Sequence, residues 1–190
     1  THIRPGERCR RTITQQLRDS SERAAKGTTA VSPTTYSRTQ IALHWIVVLL
    51  VLFQIVFHED IVQAWMARMD GTIPNVPTPN VHALAGIAIF ALMAWRLVLR
   101  LRRGVPALPA NDPPVLKLAA NVTHILLYAL LLGMPLSGGV AWFLGVEAAA
   151  IVHSTARLLL IPLIVLHFAA ALAQHFWFKT DVLKRMLGMA

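Results

Sequence analysis

Four long apolar blocks, separated by short polar segments, run through this chain of 190 residues. They cover about residues 40–57, 81–101, 118–144 and 148–178. Each block comes close to or exceeds the roughly 20 apolar residues that a helix needs to cross a bilayer. The apolar residues are gathered in these blocks and do not form scattered amphipathic patterns. The sequence therefore predicts an all-α integral membrane protein, a bundle of four spanning helices.

The polar segments mark the limits of this membrane part. Residues 1–35 are rich in Arg, Ser and Thr and lack apolar periodicity, which predicts a polar, basic N-terminal tail. Residues 36–187 form the predicted transmembrane domain, and residues 188–190 are a short C-terminal end. Hydrophobic residues make up 55% of the chain, which is too many for an ordinary soluble domain of this length.

Two features inside the membrane part affect its local geometry. The segment 59–80 contains three prolines, and around Trp65 and Met66 it is compatible with a short interfacial helix or with a plain loop. Pro135 and Pro162 lie within the third and fourth blocks. Proline has no N–H to donate to the preceding turn, so a bend is predicted at each of these positions.

The basic residues predict the orientation in the membrane. Eight Lys or Arg lie between Thr1 and Arg38, four more in or beside the segment joining the second and third blocks, and three after the fourth block. The segment between the first and second blocks has only Arg68. The positive-inside rule then places both termini in the cytoplasm. Because topology accounts for the net charge of +9, the charge does not indicate binding to nucleic acid.

Four histidines stand at matched depths in the predicted bundle. His153 and His167 are fourteen positions apart, which puts them within about 40° of each other on one helix and about 21 Å apart along it. His44 lies near the start of the first block and His82 near the start of the second. With alternating spans, His44 shares a level with His167, and His82 shares a level with His153.

Pairs of neutral imidazoles inside a membrane are typical ligands of haem iron, one on each face of the porphyrin. Such a haem has no open position for oxygen and therefore moves electrons. The single cysteine, Cys9, lies in the tail, which excludes a cysteine-ligated iron–sulfur cluster. The spans lack Asp and Glu, so zinc fits less well. Taken singly, any one histidine is also compatible with a hydrogen-bonded interior residue; four at matched depths favour two metal centres.

Five further polar residues are candidate contacts of a cofactor or substrate. Arg96 and Arg157 are charges inside the spans, where a haem propionate would be a suitable partner and snorkelling to the interface is the alternative. His124, His175 and Lys179 lie toward the cytoplasmic face, where they can donate to a quinone oxygen. Binding of phospholipid by these groups is an equally simple alternative.

Several segments resemble the bacterial cytochrome b561 family. Residues 36–45 read YSRTQIALHW and are similar to the opening motif Y-S-R-x-Q-I-x-x-H-W of that family. Val81-His82 followed by residues 96–101 resembles its second helix. The stretch from His153 through His167 to Lys179 resembles its last helix. The resemblance extends over about residues 36–187.

This resemblance implies a four-helix membrane cytochrome of the bacterial inner membrane, with two b haems in the bundle core. It implies that His44, His82, His153 and His167 bind the irons and that Arg38 joins Arg96 and Arg157 around the cofactors. Expected partners are membrane lipid, ubiquinone or menaquinone, and a redox protein. One activity known in the family is oxidation of superoxide with transfer of the electron to ubiquinone, which would make the protein an oxidoreductase.

The chain departs from the family pattern at a few places. Its N-terminal tail is longer than that of short members. Gln174 stands where a second adjacent histidine can occur, and Arg157 stands where an uncharged residue is expected. Two alternative functions remain open from the sequence: a haem-bearing anchor subunit of a larger respiratory complex, and a haem-free helical transporter or assembly factor.

Overall fold

The computed structural model describes residues 15, 16, 18, 33–72, 80–110 and 112–189, and all regular structure among these residues is helical. The membrane part consists of α1 (Arg38–Val56), α2 (Glu59–Met69), α3 (Val81–Arg103), α4 (Pro114–Leu144), α5 (Glu147–Phe176) and α6 (Val182–Leu187). Helices α1, α3, α4 and α5 are long and apolar enough to cross a membrane. The prediction of an all-α protein with four spans is therefore confirmed.

The chain divides into one unit over Thr1–Ser32 and another over Pro33–Ala190. In the first unit the described residues are 15, 16 and 18, which are helical and exposed. The rest of the predicted tail up to residue 32, with its cysteine, lies outside the described residues, as do the three prolines of the segment 59–80. The tail therefore remains a sequence prediction.

Local sequence explains where the spans begin and end. Ser37 caps α1 through a capping box with Gln40: the Ser37 hydroxyl accepts from the Gln40 N–H, and the Gln40 side chain accepts from the Ser37 N–H. Helix α4 begins at Pro114, four residues before the predicted start, because proline is favoured in the first turn. Helix α5 ends at Phe176 rather than at residue 178.

The two open questions about local geometry have different outcomes. The segment after α1 forms the helix α2, with acidic Glu59 and Asp60 in its first turn, where they favour a helix N-terminus. The short-helix alternative is thus the one that residues 59–69 adopt, and its position at the membrane interface stays a prediction. Helix α4 continues past Pro135 and α5 continues past Pro162. A bend at either proline stays a prediction.

The four spans pack mainly against their neighbours in the chain. Helix α1 packs on α3, α3 on α4, and α4 on α5, whereas α5 approaches α1 and α3 less closely. In the middle of the bundle α1 and α3 share a core of Val47, Val51, Ile89 and Met93. Leu127, Leu160 and Leu163 form a second core between α4 and α5. Many large apolar side chains face outward, as expected of a surface that contacts lipid.

Alternation of the spans gives the bundle two distinct ends. The termini end contains the start of α1, the end of α3, the start of α4, the end of α5 and the helix α6. The opposite end, here called the α2 end, contains α2, the start of α3, the end of α4 and the start of α5. Two of the four predicted ligand histidines lie toward each end.

Candidate functional site

The four predicted ligand histidines form two pairs, one toward each end of the bundle. At the termini end the rings of His44 on α1 and His167 on α5 have centroids 6.4 Å apart. At the α2 end the rings of His82 on α3 and His153 on α5 have centroids 6.1 Å apart. Each pair joins α5 to a helix other than α4, which is the span that packs most extensively against α5.

These separations fit a bis-histidine haem. Two imidazole nitrogens on opposite sides of one iron are about 4 Å apart, which puts the ring centroids about 6 Å apart. The ring centroids of both histidine pairs have about this spacing. No group of three His, Cys, Asp or Glu side chains that could hold a metal ion occurs among the described residues. The paired histidines at each end would suit an iron whose other ligands come from a porphyrin.

Helix α4 fixes the ring of His153. Its Nδ1 lies 2.8 Å from the carbonyl oxygen of Met134, so Nδ1 carries the proton and Nε2 keeps its lone pair for a metal. The Ser137 hydroxyl donates to the same carbonyl at 3.0 Å. Gly138 stands beside the ring: a Cβ at this position would lie 2.9 Å from the His153 Nδ1. Only glycine lets the imidazole approach α4 this closely.

His82 is held mainly through its backbone. Its N–H donates to the Asn80 side chain at 2.8 Å, which caps the start of α3. Its carbonyl accepts from the Gln54 Nε2 at 2.9 Å, which links α3 to α1. The ring Nδ1 is buried and has no hydrogen-bond partner among the described residues. A buried imidazole nitrogen that lacks a hydrogen-bond partner is consistent with a site that is completed by a bound ligand.

A third histidine stands beside the pair at the termini end. The ring of His124 on α4 has its centroid 5.2 Å from that of His167, at a steep angle. Its Nδ1 lies 2.6 Å from the Ala120 carbonyl oxygen, so Nε2 is the free acceptor. His44 in turn contacts Trp45, whose indole N–H donates to the Met186 carbonyl at 3.1 Å. This bond ties α6 to α1 next to the histidine pair.

Basic and phenolic side chains surround the same end. The Arg96 guanidinium donates to the Gln40 carbonyl at 2.9 Å, one helical turn from His44. One turn further along α3, the Arg100 guanidinium lies over the ring of Tyr128, 5.6 Å from its centroid. Burial raises the pKa of the Tyr36 phenol, and the positive charges of Arg96 and Arg100 partly oppose that rise. This end can therefore hold an anionic group such as a haem propionate.

The other two predicted arginines are placed differently. Arg157 on α5 is half-buried and stands one turn beyond His153 toward the middle of the membrane. Arg38 is exposed at the first position of α1, outside the group of buried side chains at the termini end. Of the three arginines predicted to contact a cofactor, Arg96 is the one whose contacts lie within a turn of a ligand histidine.

Sequence reasoning missed Arg68, which is buried at the α2 end. In the sequence, Arg68 is apparent only as the single basic residue between the first and second apolar blocks. Its guanidinium donates to the Trp142 carbonyl near the end of α4, and a Cβ at Gly145 would come within 3.0 Å of its Nη2. A cation at the C-terminus of a helix is electrostatically favourable. The signal in the sequence that could have found Arg68 is a basic residue in the last turn of a short amphipathic helix.

Two of the predicted quinone contacts, His175 and Lys179, lie near the end of α5, whereas His124 lies on α4 beside His167. His175 is half-buried, its Nδ1 has no hydrogen-bond partner among the described residues, and its ring contacts Phe176. Lys179 is exposed, with a left-handed φ of 53° just after the helix. Between these two and His167 stands Gln174, whose Nε2 donates to the Asp112 carboxylate at 2.9 Å. Sequence reasoning missed Asp112, which gives no signal beyond being one acid in a Pro-rich loop.

Comparisons with known proteins agree on one family. The family model described as prokaryotic cytochrome b561 matches residues 35–189. Cytochrome b562 of Cereibacter sphaeroides is 34% identical over 152 residues, covering 80% of this chain and 94% of the relative. Cytochrome b561 homolog 1 of Escherichia coli is 31% identical over 173 residues, with 80% and 96% covered. The probable superoxide oxidase CybB of Yersinia pestis is 28% identical over 177 residues, with 80% and 95% covered.

Proposed function

Because this chain belongs to the prokaryotic cytochrome b561 family and is a bacterial membrane b-type cytochrome in electron transfer, we propose that it holds two b haems and exchanges electrons with quinone. One haem would lie between His44 and His167, and the other between His82 and His153. The two pairs of imidazoles, with centroids 6.4 and 6.1 Å apart, are the observation that carries this proposal.

The roles of the residues follow from their contacts. Each pair of histidines would hold one haem, which would supply a one-electron couple. The Met134 carbonyl orients His153 by accepting a hydrogen bond from its Nδ1–H. Arg96, held by the Gln40 carbonyl, stands where it can balance the charge of a propionate near His44. The half-buried Arg157 stands on α5 one turn from His153, where it could contact the haem of the α2 end, and Arg38 is exposed at the start of α1.

The haem count tests the proposal directly. We expect the purified protein to give a b-type reduced-minus-oxidised spectrum and about two haems per chain by the pyridine haemochrome method, because each end of the bundle supplies one pair of axial ligands. Both haems should be low-spin in the oxidised state. A count of one haem per chain, or a high-spin ferric signal of comparable size, would contradict the assignment of two bis-histidine sites.

We place the quinone at the termini end, where His124, His175 and Lys179 gather. The His124 Nδ1 is bonded to the Ala120 carbonyl, so its Nε2 can accept from a quinol hydroxyl. The His175 Nδ1, which has no partner among the described residues, can bind an oxygen of the quinone or quinol. Lys179 is exposed where the head groups of lipids begin. Ubiquinone and menaquinone share the two carbonyl oxygens that these groups would recognise.

A second candidate activity is oxidation of superoxide, with the electron passing to quinone. Its support is that the Yersinia pestis relative carries the name of a probable superoxide oxidase. At the position where that family can have a second histidine, this chain has Gln174, which is bound to Asp112. Superoxide generated in a xanthine oxidase assay should reduce the haems if this candidate is correct, and a control with superoxide dismutase should abolish that reduction.

For the orientation we propose that both termini lie in the cytoplasm of a cell with this protein in its inner membrane. The basic residues gather at the termini end, as the positive-inside rule requires. We expect an alkaline phosphatase fusion after Gly71 to be active and one after Gly188 to be inactive, with the reverse result for a fluorescent protein that folds only in the cytoplasm. The same activity at both fusion points would refute the four-span topology.

A further inference from the structure

A buried carboxylate lies at the termini end, in the loop between α3 and α4. Asp112 is only 9% exposed. The other acids among the described residues, which are Glu59, Asp60, Asp70, Glu147 and Asp181, are all exposed. The backbone N–H of Asp112 donates to the Pro109 carbonyl at 3.2 Å, so a turn of the loop holds the backbone at this residue. Burying a carboxyl group costs free energy, so this position calls for a reason.

The carboxylate is bound by an amide and not by a cation. The Gln174 Nε2 donates to the Asp112 Oδ2 at 2.9 Å, and the Thr180 hydroxyl donates to the Gln174 Oε1 at 2.9 Å. Within the part of the chain that the structure describes, the one ion pair is Lys184 with Asp181. A carboxylate bound by a neutral amide can accept a proton without breaking an ion pair.

The basic groups around this loop are bound to backbone oxygens instead. The Lys117 Nζ donates to the Ala110 carbonyl at 2.9 Å, and the Arg185 guanidinium donates to the Ala107 carbonyl at 3.1 Å. His175 and Lys179 follow Gln174 on α5 and its C-terminal extension. Lys117 and Arg185 thus bind the backbone of the loop and leave the Asp112 carboxylate to the Gln174 amide.

Gln174 connects this carboxylate to the haem site. Gln174 and His167 are seven positions apart on α5, which is about 10.5 Å along the axis and within about 20° around it. The amide thus lies on the same face as the histidine, two turns closer to the membrane surface. The Gln174 Nε2 carries two hydrogens. One is donated to the Asp112 carboxylate, and the second remains available to donate to an oxygen of a bound quinol.

We propose that Asp112 is the proton acceptor for quinol oxidation at this end, with Gln174 orienting the quinol. This inference rests on the proposed exchange of electrons with quinone. One quinol gives two electrons, one to each ferric haem, and loses two protons as its two hydroxyls become carbonyls. The proton of the hydroxyl facing Gln174 passes to the Asp112 carboxylate and then to cytoplasmic water. The proton of the other hydroxyl passes directly to water.

Rapid mixing of the oxidised, haem-loaded protein with decylubiquinol tests this role. Asp112→Asn retains an oxygen that can accept from the Gln174 amide but cannot take the proton, so we expect haem reduction at least about tenfold slower than in the wild type. Asp112→Glu restores a carboxylate and should recover most of the rate. Reduction of the same proteins by dithionite, which needs no bound proton acceptor, should be unchanged in both variants.

The outcomes separate this inference from the function on which it rests. An Asp112→Asn protein that quinol reduces at the wild-type rate overturns the role of Asp112 and leaves quinone oxidation intact. Equal slowing with quinol and with dithionite overturns it too, because the residue would then be structural. Asp112→Ser is a second neutral variant, should the Asn protein not accumulate. Failure of quinol to reduce the wild-type protein would overturn the proposed function and this inference with it.

Discussion

His167→Ala should abolish one of the two haem components and leave the other, and His44→Ala should abolish the same component. The physical reason is that the centroids of the two rings are 6.4 Å apart, the spacing expected of two ligands of one iron. Loss of one axial imidazole leaves that iron five-coordinate and loosely bound, so about half of the haem absorbance should be lost. Potentiometric titration of the purified variants, followed in the α-band, measures which component remains.

His153→Ala and His82→Ala form the matched pair at the α2 end, because their rings are 6.1 Å apart. Both should lose the component that the first two variants retain. The third histidine of the termini end, His124, supplies the control: His124→Ala removes an imidazole beside His167 without removing a proposed ligand, and both components should survive. If His167→Ala grouped with His82→Ala in the titration, the proposed pairing would be wrong.

Gly138→Ala should weaken haem binding at the α2 end by on the order of tenfold or more, as is common for residues that orient a metal ligand. A Cβ at this position would lie 2.9 Å from Nδ1 and 3.0 Å from Cε1 of His153. The ring cannot simply turn away, because its Nδ1 is bonded to the Met134 carbonyl and its Nε2 is the proposed iron ligand. Haem retention during extended washing in detergent, measured for each spectral component, reports the loss.

Gly139→Ala is the control for this substitution, since the two glycines are neighbours on the same helix. A Cβ at Gly139 meets nothing within 4 Å. The residue lines an apolar groove of about 290 Å³ with Phe90 and Pro135, among others, so a methyl group has space there. We expect this variant to retain both haem components at the wild-type level. Equal retention in Gly138→Ala and Gly139→Ala would show that the close approach of α4 to His153 is not required.

The sequence alone determined the spans and the depth of the proposed ligands. Depth in a membrane is a local property: an apolar block fixes where a helix enters and leaves, and each residue then advances about 1.5 Å. This is why His44 with His167, and His82 with His153, could be assigned to common levels before any packing was known. The structure brings together these same pairs.

Only the tertiary structure decided which side chains support those histidines. Gln174 and Asp112 are 62 positions apart, and Arg68 and Trp142 are 74 apart. Their contacts depend on the rotation of each helix about its axis and on the path of the loops, neither of which hydropathy encodes. The role of Gly138 likewise arises from the distance between α4 and α5. Hydropathy and residue spacing fix the depth of each histidine in the membrane, whereas the packing of the helices against one another fixes which side chains surround it.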